Sequence, residues 1–402
     1  MTPNERKYID IGMQDKRLLI VVNEDAFFLS HRKEIGVYAN NSGWRVAVVG
    51  KDTGRRSEIE ALGIEFIEMP VNPTGKKLHQ EVKTLRFLYN LYGRERNAVV
   101  HHVGLKNMVW GGMASRLRHI DGVINAVSGL GIIFSDFNPS RIKKMLIPIL
   151  KWNMSMPNVS VIFQNHEDES LFQALGITEA VPTYFIKGSG VDLTQFQGKA
   201  RSNSGKIRIV FAGRMVKDKG VLDVIKAAEI LRPEFEDKVE FILCGALSTN
   251  PFAVSEEELQ NLCDGSYIRW LGFRKDMPEL FESSDIMCFP SYYREGVPKA
   301  VIDASAAGLP IITCDSIGCR DTVVEGVNGF LVPPKSPEAI ADRLRVLIEN
   351  PKLRRHMGGQ SRKMAEKEYD VKRVVSRHMD IYKETFKKKK SNKVKKRKGG
   401  GK

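Results

Sequence analysis

Glu295 and Asp303 stand eight positions apart in residues 291–310, SYYREGVPKAVIDASAAGLP, where a short apolar strand gives way to a turn and a helix beginning near Pro298. The backbone N–H groups of Gly296 and Val297, just ahead of that helix, suit an anionic or hydroxyl-rich ligand, and two carboxylates there could grip sugar hydroxyls. On spacing alone a plainer alternative stays open. Glu295 could complement the helix dipole, worth roughly 0.3–1 kcal/mol, with Asp303 a solvated helix residue. Upstream, Arg214 and Lys219 in GRMVKDKG follow another strand, where a diphosphate would meet two cations and the next helix N-terminus; beside Asp218 they could equally be surface charges. The first half offers His31, His101 and His102, the last two within the strand-like AVVHHVG. A histidine at a strand end can be a catalyst or a hydrogen-bonded structural residue. Gly129 and Gly131 of SGLG follow a further strand and allow either close backbone approach to a substrate or a plain tight turn.

These residues need a scaffold, and the chain is long enough to supply two. Its 402 residues are 42% hydrophobic and 28% charged, which excludes disordered and fibrous classes and predicts two globular domains. Strand-like runs RLLIVVNE, WRVAVVG, IEFIEMP, AVVHHVG, VINAVSG, VSVIFQN and TYFIKGSG alternate with helical spacing through the first half. KIRIVFAGR, VEFILCG, SYIRWLG, DIMCFPS and PIITCD do the same in the second. Continuous apolar runs separated by helices indicate parallel sheets covered on both faces. The expected fold class is therefore α/β, two Rossmann-like domains facing a central cleft, with ligands beyond the carboxyl ends of the strands. The boundaries read as an extension at 1–16, a first domain at 17–190, a polar linker at 191–205, a second domain at 206–365, a C-terminal helix at 366–386 and a disordered basic tail at 387–402.

Ten of the fifteen net positive charges sit in that tail, KKKKSNKVKKRKGGGK. Such a block cannot bury a core. It reads as a solvated end or as a weak tether to an anionic membrane surface. Residues 140–152, SRIKKMLIPILKW, mix four cations with apolar residues and resemble an interfacial helix that Pro148 should kink or end; a core helix with a basic exposed side is the alternative. No apolar run approaches the roughly 18–20 residues of a membrane span. The first sixteen residues carry Glu5, Asp10 and Asp15 and have no apolar core, so they do not read as a secretory signal and a cytoplasmic chain is expected. Five cysteines without a CxxC pair suggest neither a disulfide framework nor zinc. A nucleic-acid-binding protein is a distant alternative, because the body lacks aromatics interleaved on a basic face.

Taken together, the motifs resemble one family. Glu295 and Asp303 match the E-x7-E signature of retaining glycosyltransferases of family 4, with Asp in the second place. VVNEDAFFLSHRKEIGVYANNSGWRVAVV, VVHHVGLKNMVWGGMASRL and NAVSGLGIIFSD are similar, in order, to the bacterial branch that extends polyprenyl-diphosphate-linked glycans for capsule, O-antigen or exopolysaccharide. AGRMVKDKG, GFRKDMPELFESSDIMCFPS and GCRDTVVEGVNGFLVPP match that branch too, so the likeness spans about residues 17–385.

The resemblance implies a GT-B fold with an amino-terminal acceptor domain and a carboxy-terminal donor domain. It implies a hexosyltransferase with no cofactor and no metal, taking a nucleoside diphosphate sugar, UDP first, as its donor. The chain has no Asp-x-Asp pair to hold a divalent ion. Arg214 and Lys219 would then neutralise the departing diphosphate, Asp303 would bind the ribose and Glu295 the transferred sugar, with Gly213, Phe273, Gly296 and Val297 also on the donor side. Asp303 is one methylene shorter than the family's glutamate. His102 would face the donor sugar, with His101 as its rival, while His31, Gly129 and Gly131 would face the acceptor. The implied partners are the donor, a polyprenyl-linked glycan and an anionic membrane surface at the inner face of the cell membrane, with no nucleic acid. A nucleotide-sugar epimerase of the same fold is the alternative enzyme.

Overall fold

The computed structural model describes residues 16–71, 78–120, 122–134, 141–196, 205–248 and 252–398. The chain divides into two units, residues 1–186 with 372–402 and residues 187–371.

In unit 1, seven strands, β1 (Arg17–Glu24), β2 (Arg45–Lys51), β3 (Glu65–Glu68), β4 (Ala98–Val103), β5 (Gly122–Val127), β6 (Val159–Phe163) and β7 (Thr183–Phe185), form one parallel sheet in the order β3-β2-β1-β4-β5-β6-β7. The helices α1 (Asp25–His31), α2 (Lys33–Asn41), α3 (Arg56–Glu60), α4 (Leu78–Arg94), α5 (Leu105–Arg118), α6 (Arg141–Met154) and α7 (His166–Ala174) connect them. Every residue of β4, β5 and β6 is buried, as the uninterrupted apolar runs require of strands covered on both faces. Unit 2 repeats the plan with β8 (Ile207–Ala212), β9 (Val239–Cys244), β10 (Ile268–Trp270), β11 (Ile286–Phe289), β12 (Ile311–Cys314) and β13 (Gly329–Val332) in the order β10-β9-β8-β11-β12-β13. Its helices are α8 (Val221–Phe235), α9 (Glu256–Leu262), α10 (Met277–Glu282), α11 (Lys299–Ala306), α12 (Pro337–Glu349) and α13 (Pro351–Met364). Both orders are the doubly wound one, whose direction reverses beside the first strand, so the switch points are β1/β4 and β8/β11.

Several expected boundaries move. Val191 and Phe196 are buried in the unit 2 core and Val191 bridges Asp370, so apolar packing takes residues 191–196 into unit 2 rather than a linker. Residues 197–204 of that linker, and 1–15 of the extension, lie outside the described residues. The sixth strand of unit 2, β13, is not among the strand-like runs read from the sequence. α14 (Val371–Lys398) returns the chain to unit 1, where Tyr382 and Phe386 pack against Trp44 with ring centroids 6.0 and 5.7 Å away. That helix continues through Lys398 where disorder was expected; lysine is a good helix former and the segment extends a helix already docked. Residues 399–402 lie outside the described residues.

Pro148 neither ends nor breaks α6, which runs through it. The carbonyl that loses a donor is that of Lys144, an exposed residue like Pro148, where water can serve it. Among the described residues no helix is long and apolar enough to cross a membrane.

Candidate active site

In unit 2, Gly213, Arg214, Lys219, Glu295, Gly296 and Val297 lie on the loops that follow β8 and β11, at the switch point, whereas Phe273 follows the edge strand β10 and Asp303 lies within α11. β8 ends at Ala212 and leads through Gly213 and Arg214 to a single 3₁₀ turn, Lys217–Lys219, before Gly220 starts α8. Gly220 has φ +80°, and a Cβ there would collide with the Pro290 carbonyl, so the chain after β8 can lie against the chain after β11 only through glycine. The amides of Tyr292 and Tyr293 both donate to the Asp218 carbonyl, each at 3.0 Å, which stitches the two loops together. The result is a direct ion pair between Lys219 Nζ and Glu295 Oε1, with side chains 12% and 13% exposed. Ser291 Oγ donates to the same carboxylate oxygen at 3.2 Å. The Lys219 ammonium also lies 5.2 Å from the Tyr293 ring centroid and 5.6 Å from that of Phe289.

The rest of the loop is held from behind. Gly318, at φ +81°, packs its backbone on the Gly296 carbonyl, where a Cβ would clash. Ser316 Oγ donates to the Ser291 carbonyl at 2.6 Å and Thr313 Oγ1 to that of Phe289, also at 2.6 Å. Gly296 and Val297 are buried between β11 and α11. Asp303 is not a solvated residue: it is 15% exposed and pairs with Lys299 one turn earlier. Burial raises its carboxyl above the ordinary range, opposed by the Lys299 charge. Burial likewise raises the Asp218 carboxyl, against Lys335 and Lys219. The Tyr293 hydroxyl is pushed up by burial and then by the Glu295 charge, with Arg214 pulling the other way, so Arg214 belongs to the same neighbourhood. Arg214 itself is exposed. Phe273, in the loop after β10, is 59% exposed. Ser291, Tyr293 and the Asp218 carbonyl were not singled out in sequence, since a hydroxyl, a ring and a backbone oxygen leave no spacing signal.

Unit 1 treats its expected residues differently. His102 is completely buried, its Nε2 2.8 Å from Tyr92 Oη and its Nδ1 2.9 Å from Asn125 Oδ1. The amide oxygen can only accept, so Nδ1 donates to Asn125 and Nε2 accepts from Tyr92. Burial lowers its pKa to about 4, partly offset by Asn125. Both ring nitrogens are taken and neither meets solvent, so the expected contact with a donor sugar is corrected: His102 is a core residue. His101 is also fully buried and is no better a candidate; its Nδ1 lies 2.7 Å from Tyr382 Oη of α14. Burial, then His378, Arg32 and His102, hold its pKa well below the ordinary value.

His31 remains partly exposed, stacked on Phe27 at 4.3 Å with its Nδ1 2.7 Å from Ser30 Oγ. Gly129 and Gly131 have φ of +103° and +59° just past β5, which only glycine adopts readily. At the β1/β4 switch point Asn107 Nδ2 donates to Asn23 Oδ1 at 3.1 Å. Asp25, wholly buried, accepts from the Ala26, Thr53 and Arg55 amides and from Thr53 Oγ1. Burial opposes its ionisation, but the Thr53, Arg55 and Ala26 donors outweigh it and its pKa is lowered.

Comparison with known proteins agrees with this division. Residues 17–165 match the family described as glycosyl transferase 4-like, and residues 193–364 match glycosyl transferases group 1. One relative, the N,N'-diacetylbacillosaminyl-diphospho-undecaprenol alpha-1,3-N-acetylgalactosaminyltransferase of Campylobacter jejuni, is 25% identical over 69% of this chain and 74% of its own length. Another, the UDP-Gal:alpha-D-GlcNAc-diphosphoundecaprenol alpha-1,3-galactosyltransferase of Escherichia coli, is 22% identical over 85% and 89%. The crystal structure of Anabaena HepE in complex with UDP and glucose superposes with a TM-score of 0.73 at 18% identity, covering 92% of this chain and 99% of that one. With two Rossmann-like units, the first matching a glycosyl transferase 4-like domain and the second glycosyl transferases group 1, the chain belongs to the glycosyltransferases with the GT-B fold.

Proposed function

We propose that this glycosyltransferase is a retaining, metal-independent hexosyltransferase. It moves a hexose or N-acetylhexosamine from a nucleoside diphosphate sugar, UDP-linked, to a polyprenyl-diphosphate-linked saccharide in surface polysaccharide synthesis. The observation that carries the reading is the meeting of Lys219 and Glu295 from the two strands that flank the unit 2 switch point. A cation and a carboxylate at that place match the two halves of a nucleoside diphosphate sugar. Lys219, with Arg214, meets the diphosphate and the charge it gains on leaving; Glu295 accepts hydrogen bonds from the sugar hydroxyls, and Asp303 from the ribose. The attacking hydroxyl enters on the face the phosphate leaves, assisted by that phosphate, so no carboxylate serves as nucleophile. The undecaprenyl-diphosphate acceptors in the names of the two relatives support the acceptor class.

Association with the inner face of the cell membrane belongs to the same reading. On α6 the outward side carries Ile142, Met145 and Trp152, 55%, 68% and 41% exposed, with Lys144 and Lys151 exposed beside them, while Leu150 and Met154 face the core. That stripe suits an interfacial helix, and the basic tail adds attraction for anionic lipid.

The test is incubation of the purified protein with a panel of nucleotide sugars and an undecaprenyl-diphosphate-linked saccharide, with and without EDTA, followed by assignment of the product's anomeric configuration. Transfer with retention in EDTA is expected. An inverted linkage or loss of transfer in EDTA would each overturn the corresponding part, and an isomerised nucleotide sugar formed without acceptor would indicate an epimerase.

A further inference from the structure

Lys219 does not await an anion as a bare cation. Its ammonium is already engaged by Glu295, the pair is nearly enclosed, and Ser291 Oγ holds the same carboxylate oxygen in place. A diphosphate arriving at Lys219 therefore meets a cation with a resident counterion. An ammonium has three donors and can bridge two acceptors, but two anions drawn to one cation in a poorly solvated place repel each other.

We propose that Glu295 is the internal counterion of Lys219 and that the carboxylate and the ligand's diphosphate exchange on this one ammonium. The proposal rests on the donor assignment above. Its consequence is a bias between substrate and product. With a sugar attached, Glu295 gives up Lys219 and gains sugar hydroxyls in return. With the sugar gone, the hydroxyl contacts that offset the loss of Lys219 go with it, so the carboxylate competes for Lys219 and favours release of the spent nucleoside diphosphate. The coupling is reciprocal: whatever the carboxylate subtracts from diphosphate affinity, bound diphosphate subtracts from the ion pair. Glu295 is thus both a contact for the sugar and an opponent of the product.

Titration calorimetry with UDP and with the UDP-sugar that the enzyme uses, on the full chain, tests the exchange. Glu295→Gln, which keeps the shape and removes the charge, should bind UDP roughly tenfold tighter, towards the low end of measured site couplings, and should be more strongly inhibited by UDP as product. Its affinity for the UDP-sugar should change less, because a weakened sugar contact offsets the freed lysine. Lys219→Gln should weaken UDP binding, and adding Glu295→Gln to it should bring no gain. Unfolding midpoints establish that each variant is folded, and Glu295→Ser replaces Glu295→Gln if that variant is not. Unchanged or weaker UDP binding by the charge-neutral variant overturns the exchange, as does a gain that persists without Lys219. A wild-type protein that binds no nucleoside diphosphate overturns the donor assignment and the exchange with it, a result distinct from the first two.

Discussion

Each unit turns its strand order at the same place, yet the two switch points are furnished in opposite ways. Beyond β8 and β11 the chain presents charge: Lys219, Glu295 and Arg214 stand on loops past the strand ends, with the rings of Tyr293 and Phe289 beside the lysine. In unit 1, Asn23 and Asn107 bond each other, Asp25 is consumed by four donors, and the two histidines lie inside β4 with the sheet covered on both sides. The lesson concerns direction. A loop residue past a strand end can face a ligand, whereas a residue within a central parallel strand points to one helical layer or the other. His102 faces Tyr92 of α4 and His101 faces Tyr382 of α14, and both end in the core.

The comparison breaks first if the unit 2 charges are idle. Glu295→Gln should lower turnover about 100-fold, the scale of a lost positioning contact, measured by steady-state transfer to a lipid-linked acceptor. Wild-type turnover would remove Glu295 from the site. Next in size, Arg214→Ala and Lys219→Ala should each weaken nucleoside diphosphate binding by roughly 1.5–3 kcal/mol, as expected for charge-assisted hydrogen bonds. Added magnesium should rescue neither. Unchanged calorimetric affinity in both would sink the diphosphate assignment.

On the unit 1 side, His102→Ala should behave as a packing lesion. It leaves Tyr92 Oη and Asn125 Oδ1 without their partner and opens a cavity, at a cost of about 2–4 kcal/mol in stability. Turnover of the folded fraction should stay close to wild type. A variant of native stability and poor turnover would restore His102 to catalysis.

The sequence reading located residues where chain order and site geometry coincide. In a doubly wound sheet, a charged residue between a strand and the next helix must lie near the carboxyl edge, so Lys219 and Glu295 could be placed without knowing a single contact. It failed where geometry depends on partners distant in sequence. AVVHHVG is apolar on both faces, so its alternation does not tell a ligand-facing side from a core-facing one, and Tyr382 enters from the far end of the chain. The return of α14 to unit 1 left no local sign, and β13 hid in GVNGFLVPP because a four-residue strand flanked by turn residues gives no clear strand-like run. Spacing alone leaves Asp303 open between a ligand contact and a solvated helix residue, because its helix position is ordinary; its partner Lys299 is visible at four-residue spacing, but its burial is not.

Acidification separates the units more gently. Burial holds His102 at a pKa of about 4 and, for His378, burial followed by Arg32 lowers it to about 3; His101 is also depressed. The surroundings of His101 and His378 are Arg32, Tyr382 and each other, and those of His102 are Tyr92 and Asn125. These rings stay neutral in the folded chain while the unfolded chain protonates near its ordinary value of about 6.5, so the unfolded state binds more protons. Unit 1 should therefore keep full stability above about pH 6.5 and lose it progressively towards pH 4. In unit 2 only His356 is a histidine, and burial raises Asp218, Asp223 and Asp303, a sign that favours the folded state at low pH. The carboxyls of Asp264, where burial is outweighed by the Ser266 amide and Arg232, of Asp276, held down by Arg274, and of Glu234, held down by Arg345, act the other way. They do so only as unfolded carboxylates protonate, at about pH 4 and below. Hydrogen exchange followed by segment should show unit 1 opening first between pH 6.5 and 4. Equal loss of protection in both units would mean that the buried histidines carry no special burden.

The smallest effect lies on the surface of unit 1, and it decides whether that unit's functional chemistry sits on a helix exterior rather than in its sheet. On α6, Ile142, Met145 and Trp152 recur at helical spacing on the side away from the core, and the Arg116 guanidinium stacks on the Trp152 ring at 4.8 Å, fixing the indole at the surface. An apolar stripe flanked by lysines gains from insertion into the boundary between headgroups and acyl chains, and each Lys or Arg near an anionic leaflet adds about 1 kcal/mol. The attraction fades beyond a Debye length of about 8 Å at physiological salt, so only those of the tail's ten charges that come near the leaflet act. Met145→Glu should weaken co-sedimentation with anionic vesicles severalfold and leave donor affinity unchanged, because it touches neither the core nor unit 2. Deleting 387–402 should do the same only at low salt, where charge dominates, whereas the α6 substitution should persist at high salt, where burial of apolar surface remains. If both variants lose binding in the same salt-dependent way, attraction is purely electrostatic and the α6 stripe is an ordinary exposed surface. If Met145→Glu sediments like the wild type at both salt concentrations, the membrane contact rests on the tail alone.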